Sequence, residues 1–266
     1  MRNLLLSLLV MFGASTTVVA EDVSAYLTGE YMDAKSARKK LKSVGYQILA
    51  TYKSVDDGQT IVFTNKTLKA QGAMEGRAHA AVLRLFVDDR EKAISITNPV
   101  YFGRAFMQDD YNKNVFNAEL EKLSGVFQDL VGSKDKLDAD DIAGFHFMMA
   151  MPYYEDADEL STGSNSDLIA KVTANADKVI FELKLSPKST LIGYALGDAT
   201  KKFVTTIGRA NAAVLPYTIS IEDGKATALA AKYYLAISYP LLTMGEFMTI
   251  SDVPGAILDD LEKPFK

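Results

Sequence analysis

Apolar residues recur along the chain with two periods, a helical one of three to four residues and a strand period of two. Asp33 is positioned to cap a helix over residues 34–44, where the apolar positions have helical spacing. Apolar residues then alternate over residues 46–52, and a turn at 56–58 returns the chain as a strand over 60–64. This pattern predicts a helix followed by a β-hairpin.

The rest of the first half continues with the same two periods. A short helix over residues 67–75 precedes two strands, over 80–87 and 93–97, which an acidic turn connects. A helix over 117–130 follows, and residues 23–28 form the predicted opening strand of this half.

The second half repeats this order of predicted elements. They are a strand (145–151), a helix (166–176), two strands (179–185 and 190–196), a helix (198–206), two strands (212–221 and 226–230) and a helix (252–263). The polar stretches 132–141 and 155–165 are predicted to be loops.

An eight-residue motif occurs twice and supports this repetition. Residues 76–83 read GRAHAAVL and residues 208–215 read GRANAAVL, and their flanks also correspond. A period of about 130 residues is too long for a solenoid and indicates a duplicated domain. The predicted fold is α+β, with two tandem copies of an antiparallel-sheet-plus-helices module related by a pseudo-twofold axis. We place the first copy at 21–131, a linker at 132–143 and the second copy at 144–266.

The first twenty residues have the pattern of a secretory signal peptide. Arg2 precedes a largely apolar stretch at 4–12, and Val18 and Ala20 occupy positions −3 and −1 before Glu21. We therefore predict cleavage after Ala20 and export to a bacterial periplasm, with no membrane span after cleavage.

Cysteine content and charge narrow the possible chemistry and partners. The chain has no cysteine, which excludes disulfides, thiolate metal sites and a lipid anchor on cysteine. Its formal net charge of −5 gives no overall attraction to nucleic acid. The predicted partner is an unknown small molecule or a periplasmic protein, no cofactor is predicted, and the chain is a monomer or a homodimer.

Part of the second half resembles a known family of bacterial α+β modules. Residues 190–228 contain Leu-Pro-Tyr at 215–217 and an acidic-Gly turn at 222–225, and a Pro…Met region follows at 239–245. These features resemble the domain-of-unknown-function family 302. The first half departs from the pattern, because Arg84 replaces the proline. The resemblance implies an antiparallel sheet backed by helices, often in a dimeric arrangement, and no established activity.

The motif places one arginine in each half, Arg77 and Arg209. If the halves pack about a pseudo-twofold axis, the two guanidinium groups could converge on one bound anion. In the alternative, each arginine bonds the last carbonyls of its preceding helix and has a structural role only.

Two histidines are the other candidates for chemistry. His79 corresponds to Asn211 in the repeat, so a proton-transfer role would belong to the first half alone. His146 lies in a methionine-rich stretch at 144–151 that resembles a copper ligand set. Alternation on a strand leaves only Met148 beside His146, which favours core packing of the methionines, and no metal ligand is assigned.

Three aromatic pairs occur along the chain, Tyr153-Tyr154, Tyr233-Tyr234 and Tyr101-Phe102. They could line an apolar pocket whose tyrosine hydroxyls serve as polar contacts. On strands, consecutive rings point to opposite faces, so each pair is expected to place one ring in the core and one outside.

These observations predict a non-enzymatic exported protein that binds a small apolar or anionic ligand, or a protein partner, at the junction of two modules. The candidate ligand-binding residues are Arg77, Arg209, His79, Asn211, Tyr101 and Tyr233. One alternative is a periplasmic enzyme with its site in the first repeat, and another is a copper-handling protein. No catalytic residue is assigned.

Overall fold

A computed structural model describes residues 21–266, except for the side chain of Asn211. The predicted signal segment lies outside these residues. The described part of the chain contains thirteen strands and nine α-helices, and the strands form three antiparallel sheets. The predicted α+β class is therefore confirmed.

The elements of the first half follow the predicted order closely. Its strands are β1 (Asp22–Ser24), β2 (Tyr26–Glu30), β3 (Gln47–Val55), β4 (Gly58–Thr64), β5 (Leu83–Asp88), β6 (Ala93–Thr97), β7 (Val131–Gly132) and β8 (Lys136–Asp138). Its helices are α1 (Ala34–Ser43), α2 (Lys66–Gly72), α3 (Pro99–Met107) and α4 (Lys113–Val126). Asp33 caps α1 as predicted, because its carboxylate accepts hydrogen bonds from the first backbone N–H groups of the helix.

The second half contains the remaining strands and helices. Its strands are β9 (Asp158–Thr162), β10 (Val179–Lys184), β11 (Ser189–Tyr194), β12 (Tyr217–Glu222) and β13 (Lys225–Ala228). Its helices are α5 (Asn165–Thr173), α6 (Phe203–Ile207), α7 (Ala231–Ser238), α8 (Met244–Met248) and α9 (Val253–Glu262).

The two large sheets have strands in the same spatial order. The first sheet has the order β3-β4-β5-β6-β2-β7, and the second has the order β10-β11-β12-β13-β9. In each of these two sheets, the strand that comes first in the chain, β2 or β9, pairs with the last strand of the meander that follows it, β6 or β13. The short β1 pairs with β8, which lies in the segment predicted as a linker.

Alternate side chains of β5 point to opposite faces of the first sheet. Leu83, Leu85 and Val87 point to one face, and Arg84 and Asp88 to the other. On that second face Arg84 donates to the carbonyl of Pro216 at 3.4 Å, and Asp88 pairs with Arg209 at 2.8 Å. This face of the first sheet therefore packs against the second half.

Helices α3 and α7 exchange hydrogen bonds across the junction between the halves. The Tyr101 hydroxyl donates to the carbonyl of Ile237 at 2.8 Å, and the Tyr233 hydroxyl donates to the carbonyl of Ala105 at 3.2 Å. Both carbonyls lie in the last turn of their helix, where intrahelical donors are missing. Each tyrosine thus satisfies the end of the other helix.

Of the three aromatic pairs, Tyr153-Tyr154 has one exposed and one buried ring as predicted, whereas the other two pairs do not. Tyr101, Phe102, Tyr233 and Tyr234 lie on helices rather than strands, and all four are buried. On a helix, neighbouring rings are only about 100° apart, so both can face the core when the helix is covered on most sides.

The start of the second half also differs from the prediction. Residues 145–151 form turns instead of a strand, and the opening strand is β9, within the predicted loop 155–165. The sequence of β9, Asp-Glu-Leu-Ser-Thr, lacks apolar alternation because the strand is at a sheet edge, where backbone pairing with β13 determines its conformation.

The repeated motif itself forms 3₁₀ turns where strands were predicted. Ala78–Ala81 and Arg209–Val214 each make one, and strands β5 and β12 begin only after them. The alanine-rich motif instead contacts the sheet of the opposite half. Among the described residues, no helix combines the length and apolar character needed to cross a bilayer.

Replacing Tyr101 with Phe should lower the free energy of unfolding by about 1–3 kcal/mol, because a buried helix-end carbonyl then loses its donor. Urea unfolding measures this change, and Tyr233→Phe should have an effect of the same sign. Tyr153→Phe is the matched control, since Tyr153 is 44% exposed. Equal stability of the Tyr101 variant and the control would contradict the assigned role of the hydroxyl.

Candidate functional site

Two cavities are lined by residues of both halves of the chain. The larger, which we call the basic cleft, has a volume of about 590 Å³ and is bordered by Lys53, Arg90, Lys201, Lys202 and Arg209. The smaller, which we call the Arg77 cavity, has a volume of about 250 Å³. Both therefore depend on how the halves are packed.

Four chain segments bring the basic side chains of the basic cleft together. Lys53 lies near the end of β3, and Arg90 is in the turn between β5 and β6. Lys201 and Lys202 lie in the 3₁₀ turn that precedes α6, and Arg209 begins the next 3₁₀ turn. The first two residues come from one half and the other three from the other half.

The basic cleft is positive although the chain is acidic. Its wall carries five basic side chains and two acidic ones, Asp56 and Asp198. Asp57 and Asp88, which pair with Arg90 and Arg209, reduce the excess to a net charge of +1 in a chain whose net charge is −5. A hydrogen bond and the charge of Lys53 lower the pKa of Asp56. A hydrogen bond and the charge of Lys201 do the same for Asp198. Both carboxylates remain ionised at neutral pH, and the positive charge still exceeds the negative.

Arg209 is held at one side of the basic cleft by Asp88. Its Nε and one terminal nitrogen donate to the Asp88 carboxylate at 2.9 and 2.8 Å, and that terminal nitrogen also donates to the carbonyl of Asp57. Burial raises the pKa of Asp88, but hydrogen bonds from Arg209 and from two backbone N–H groups outweigh this effect and leave the pKa below its usual value. The paired guanidinium is therefore a fixed part of the wall.

The Arg77 cavity is built around a second arginine–carboxylate pair. Arg77 Nε donates to Asp110 at 2.9 Å, and the guanidinium lies over the Tyr154 ring at 5.6 Å. The Tyr154 hydroxyl donates to the carbonyl of Gly76 at 2.7 Å, and the N–H of Gly76 donates to Glu222 at 2.9 Å. The polar groups of this cavity are thus engaged with one another.

His79 also lines the Arg77 cavity but is poorly suited to proton transfer. Its Nδ1 is 2.9 Å from the Thr218 hydroxyl, and the side chain is buried. Burial, with a smaller contribution from the charge of Arg84, lowers the pKa of His79 to about 3. The imidazole therefore stays neutral near pH 7, far from the pKa that an efficient general base needs there.

The structure does not bring the six predicted site residues together. Arg77 and His79 share one cavity, whereas Arg209 borders the other, so the two arginines do not converge on one anion. Neither side chain bonds helix carbonyls, because each pairs with a carboxylate. Tyr101 and Tyr233 are buried in the junction, and the side chain of Asn211 lies outside the described atoms.

The methionine-rich stretch lies on the surface rather than in the core. Met148 and Met149 are 43% and 90% exposed, and His146 is partly exposed. The alternation argument for this stretch was therefore wrong. Among the described residues, no group of three or more His, Asp or Glu side chains is arranged to hold a metal ion.

The lysines of the basic cleft were missed in the sequence because each is unremarkable in its own segment. The adjacent pair Lys201-Lys202, next to the repeated motif, was the one local signal.

Comparison of the chain with protein-family models, with curated proteins and with solved structures gives no match in any of the three.

Replacing Arg209 with Met should destabilise the protein by about 3–5 kcal/mol at pH 7, since it leaves Asp88, which is 2% exposed, without its partner. Because the pKa of Asp88 is lowered in the folded state, the ionised carboxylate stabilises the fold at pH values above the unfolded-state pKa of Asp88. This stabilisation is lost as the pH falls through the folded-state pKa. The difference between wild type and variant should therefore shrink below about pH 4.

Urea unfolding at several pH values measures this difference. Arg90→Met is the matched control, because Arg90 pairs with Asp57 at an exposed position and should cost less than about 1 kcal/mol. A pH-independent difference for Arg209→Met would show that the ion pair is not its cause.

Proposed function

We propose that this protein is a non-enzymatic binding protein that holds a small anionic ligand in the basic cleft between its two halves. The observation that carries this proposal is the excess of positive charge on a cleft of about 590 Å³, where five basic side chains from both halves meet four carboxylates. Cavities of this size are typical of small-molecule sites.

Electrostatics supports an anion rather than an apolar ligand. A cleft lined by charges of one sign focuses the field and raises the local concentration of oppositely charged ligands. Arg209 contributes a fixed guanidinium, while Lys202 is exposed and can turn its ammonium group toward a bound oxyanion. Carboxylate and phosphate groups are the anions that such side chains recognise best.

The proposal includes a common origin for the two halves. The shared strand order and the reciprocal bonds of Tyr101 and Tyr233 support two copies of one module about a pseudo-twofold axis. The two tyrosines are 132 positions apart, and so are the carbonyls that accept from them, those of Ala105 and Ile237. The basic cleft then belongs to the junction that the duplication created.

Export and the family resemblance complete the proposal. The pattern of the first twenty residues supports delivery to a periplasm. The Leu215-Pro216 step and the turn at 222–225 support a relation to the domain-of-unknown-function family 302, to which no activity is attached.

Thermal unfolding in the presence of simple anions tests ligand binding. At fixed ionic strength, pyrophosphate or citrate at a hundred times its dissociation constant should stabilise the folded protein by about 2.7 kcal/mol, and Tm should rise with ligand concentration. The double variant Lys201→Ala, Lys202→Ala should lose most of this rise, because it removes two of the five cations.

Lys39→Ala is the matched control, since Lys39 is exposed on α1 and does not border the basic cleft. An equal rise in Tm for the double variant and the control would reject the basic cleft as the site. No rise with either anion in the wild-type protein would count against the proposed function itself.

Processing of the exported chain is tested separately. Expression of the full-length gene in a Gram-negative host should give a periplasmic protein whose N-terminal residue is Glu21, identified by mass spectrometry of the intact chain. An unprocessed chain that remains in the cytoplasm would contradict the export proposal without affecting the ligand proposal.

Copper handling is a second candidate, favoured by the exposed methionines. Phe147 and Phe247 have ring centroids 5.3 Å apart, so the stretch with His146 and Met148 packs beside α8. That helix carries Met244 and Met248, which are also exposed. Thioether and imidazole groups suit Cu(I). Unchanged Cu(I) affinity in the variant His146→Ala, Met148→Ala would reject this candidate.

A further inference from the structure

Arg84 is a buried cation at the junction between the halves, and it lines neither of the two cavities described above. Its side chain is 4% exposed and projects from β5 toward the second half. One terminal nitrogen is 3.4 Å from the carbonyl of Pro216, and the Nε has no hydrogen-bond partner among the described residues.

The absence of an acidic partner distinguishes Arg84 from the other junction arginines. Arg77 and Arg209 each pair with a carboxylate, whereas Arg84 takes part in no salt bridge within the described chain. A guanidinium does not lose its proton in a protein. A buried charge is strongly unfavourable unless an opposite charge or several hydrogen-bonding groups compensate it.

Two buried hydroxyl groups without partners lie close to Arg84. Tyr26 on β2 is opposite Thr97 on β6. The Thr97 hydroxyl accepts a hydrogen bond from the backbone N–H of Arg84 on β5. Tyr26, Thr97 and Arg84 therefore lie side by side on three neighbouring strands. Burial raises the pKa of Tyr26, while the neighbouring Ser238 hydroxyl and the charge of Arg84 lower it. Tyr26 and Ser238 are fully buried neighbours, yet neither hydroxyl meets hydrogen-bond geometry with any described group.

The surroundings supply donors but little negative charge. His79 is close enough for the charge of Arg84 to lower its pKa, and it is neutral. Tyr234 is also close enough for the charge of Arg84 to lower its pKa, and its hydroxyl donates to the carbonyl of Val214. The charge of Asp135 also acts on Tyr26 and raises its pKa.

We propose that Arg84, Tyr26 and Ser238 together bind a small monovalent inorganic anion of the chloride type at the junction of the two halves. The guanidinium compensates the charge of the anion, and the two hydroxyl groups donate to it. The cost of removing an ion from water rises steeply with its charge, so a buried site with one guanidinium favours a monovalent anion. Because the donors come from both halves, the anion acts as a structural bridge between them.

Halide-dependent stability tests this site with the intact protein. Protein dialysed into chloride-free buffer is titrated with sodium chloride against sodium gluconate at constant ionic strength, and Tm is recorded. Chloride should raise Tm with the saturable dependence expected for a ligand that binds only the folded state, and gluconate, which is too large for the site, should not. Equal Tm values in the two salts would overturn the proposal.

Variants identify the residues responsible. Arg84→Met should abolish the chloride dependence, and Tyr26→Phe, which keeps the ring and removes one donor, should weaken chloride binding about tenfold. Tyr26→Phe keeps the test decisive if Arg84→Met does not fold. Unchanged chloride dependence in Tyr26→Phe would overturn the assignment of this residue.

Two controls separate this site from other positive groups. Arg104→Met should retain the full chloride dependence, because Arg104 also has an unpartnered Nε but lies over the Tyr111 ring at 4.8 Å. The Lys201→Ala, Lys202→Ala variant should retain it as well, which makes the result independent of the basic cleft. In crystals soaked with bromide, an anomalous peak beside the Arg84 guanidinium would support the proposal, and its absence would overturn it.

Discussion

The structure depends on the burial of polar sheet faces between the two halves. The faces of the sheets that meet at the junction carry Asp88, Arg84 and Thr218 beside apolar side chains of both halves, such as Val62 and Leu191. Buried polar groups are tolerated only when they are hydrogen-bonded. The partner here comes from the other half in each of three cases, as with Asp88 and Arg209, His79 and Thr218, and Thr60 with the carbonyl of Ala212. These groups therefore depend on the other half for part of their hydrogen bonding.

This constraint also explains where the candidate sites lie. Positions at which cross-junction pairing is complete, such as the Arg77 cavity, are occupied by mutual contacts among the protein groups. Where pairing across the junction is incomplete, positive charge is in excess. This is the case in the basic cleft at the rim of the junction and at Arg84 in its interior. Both proposed anion sites are therefore consequences of one interface in which basic groups exceed their acidic partners.

Much of the element order could be predicted from the sequence, and the sites could not. Helix α1 and the hairpin of β3 and β4 follow from local periodicity, which the surrounding fold does not override. Strand β9 was missed because an edge strand is specified by backbone pairing rather than by apolar alternation. The aromatic pairs were placed on strands because short apolar runs do not distinguish a buried helix from a strand.

The basic cleft escaped prediction for a different reason. Lys53 and Arg90 are separated from Lys201 by more than a hundred residues, and only the packing of the halves makes them neighbours. The repeated motif pointed to Arg77 and Arg209 because residues at matching positions of a repeated motif are easy to find. Matching positions in sequence need not be close in space, and each arginine instead pairs with a nearby carboxylate.

The exchange between Tyr101 and Tyr233 has a consequence for how the halves stay together. The halves contact each other through hydrogen bonds and ion pairs like those between separate chains, but residues 127–157 connect them in one chain. Such a tether keeps each half at a high effective concentration near the other, so the interface does not need the affinity of a free dimer. Cleavage of the tether would convert the same contacts into a bimolecular equilibrium, whose position depends on protein concentration.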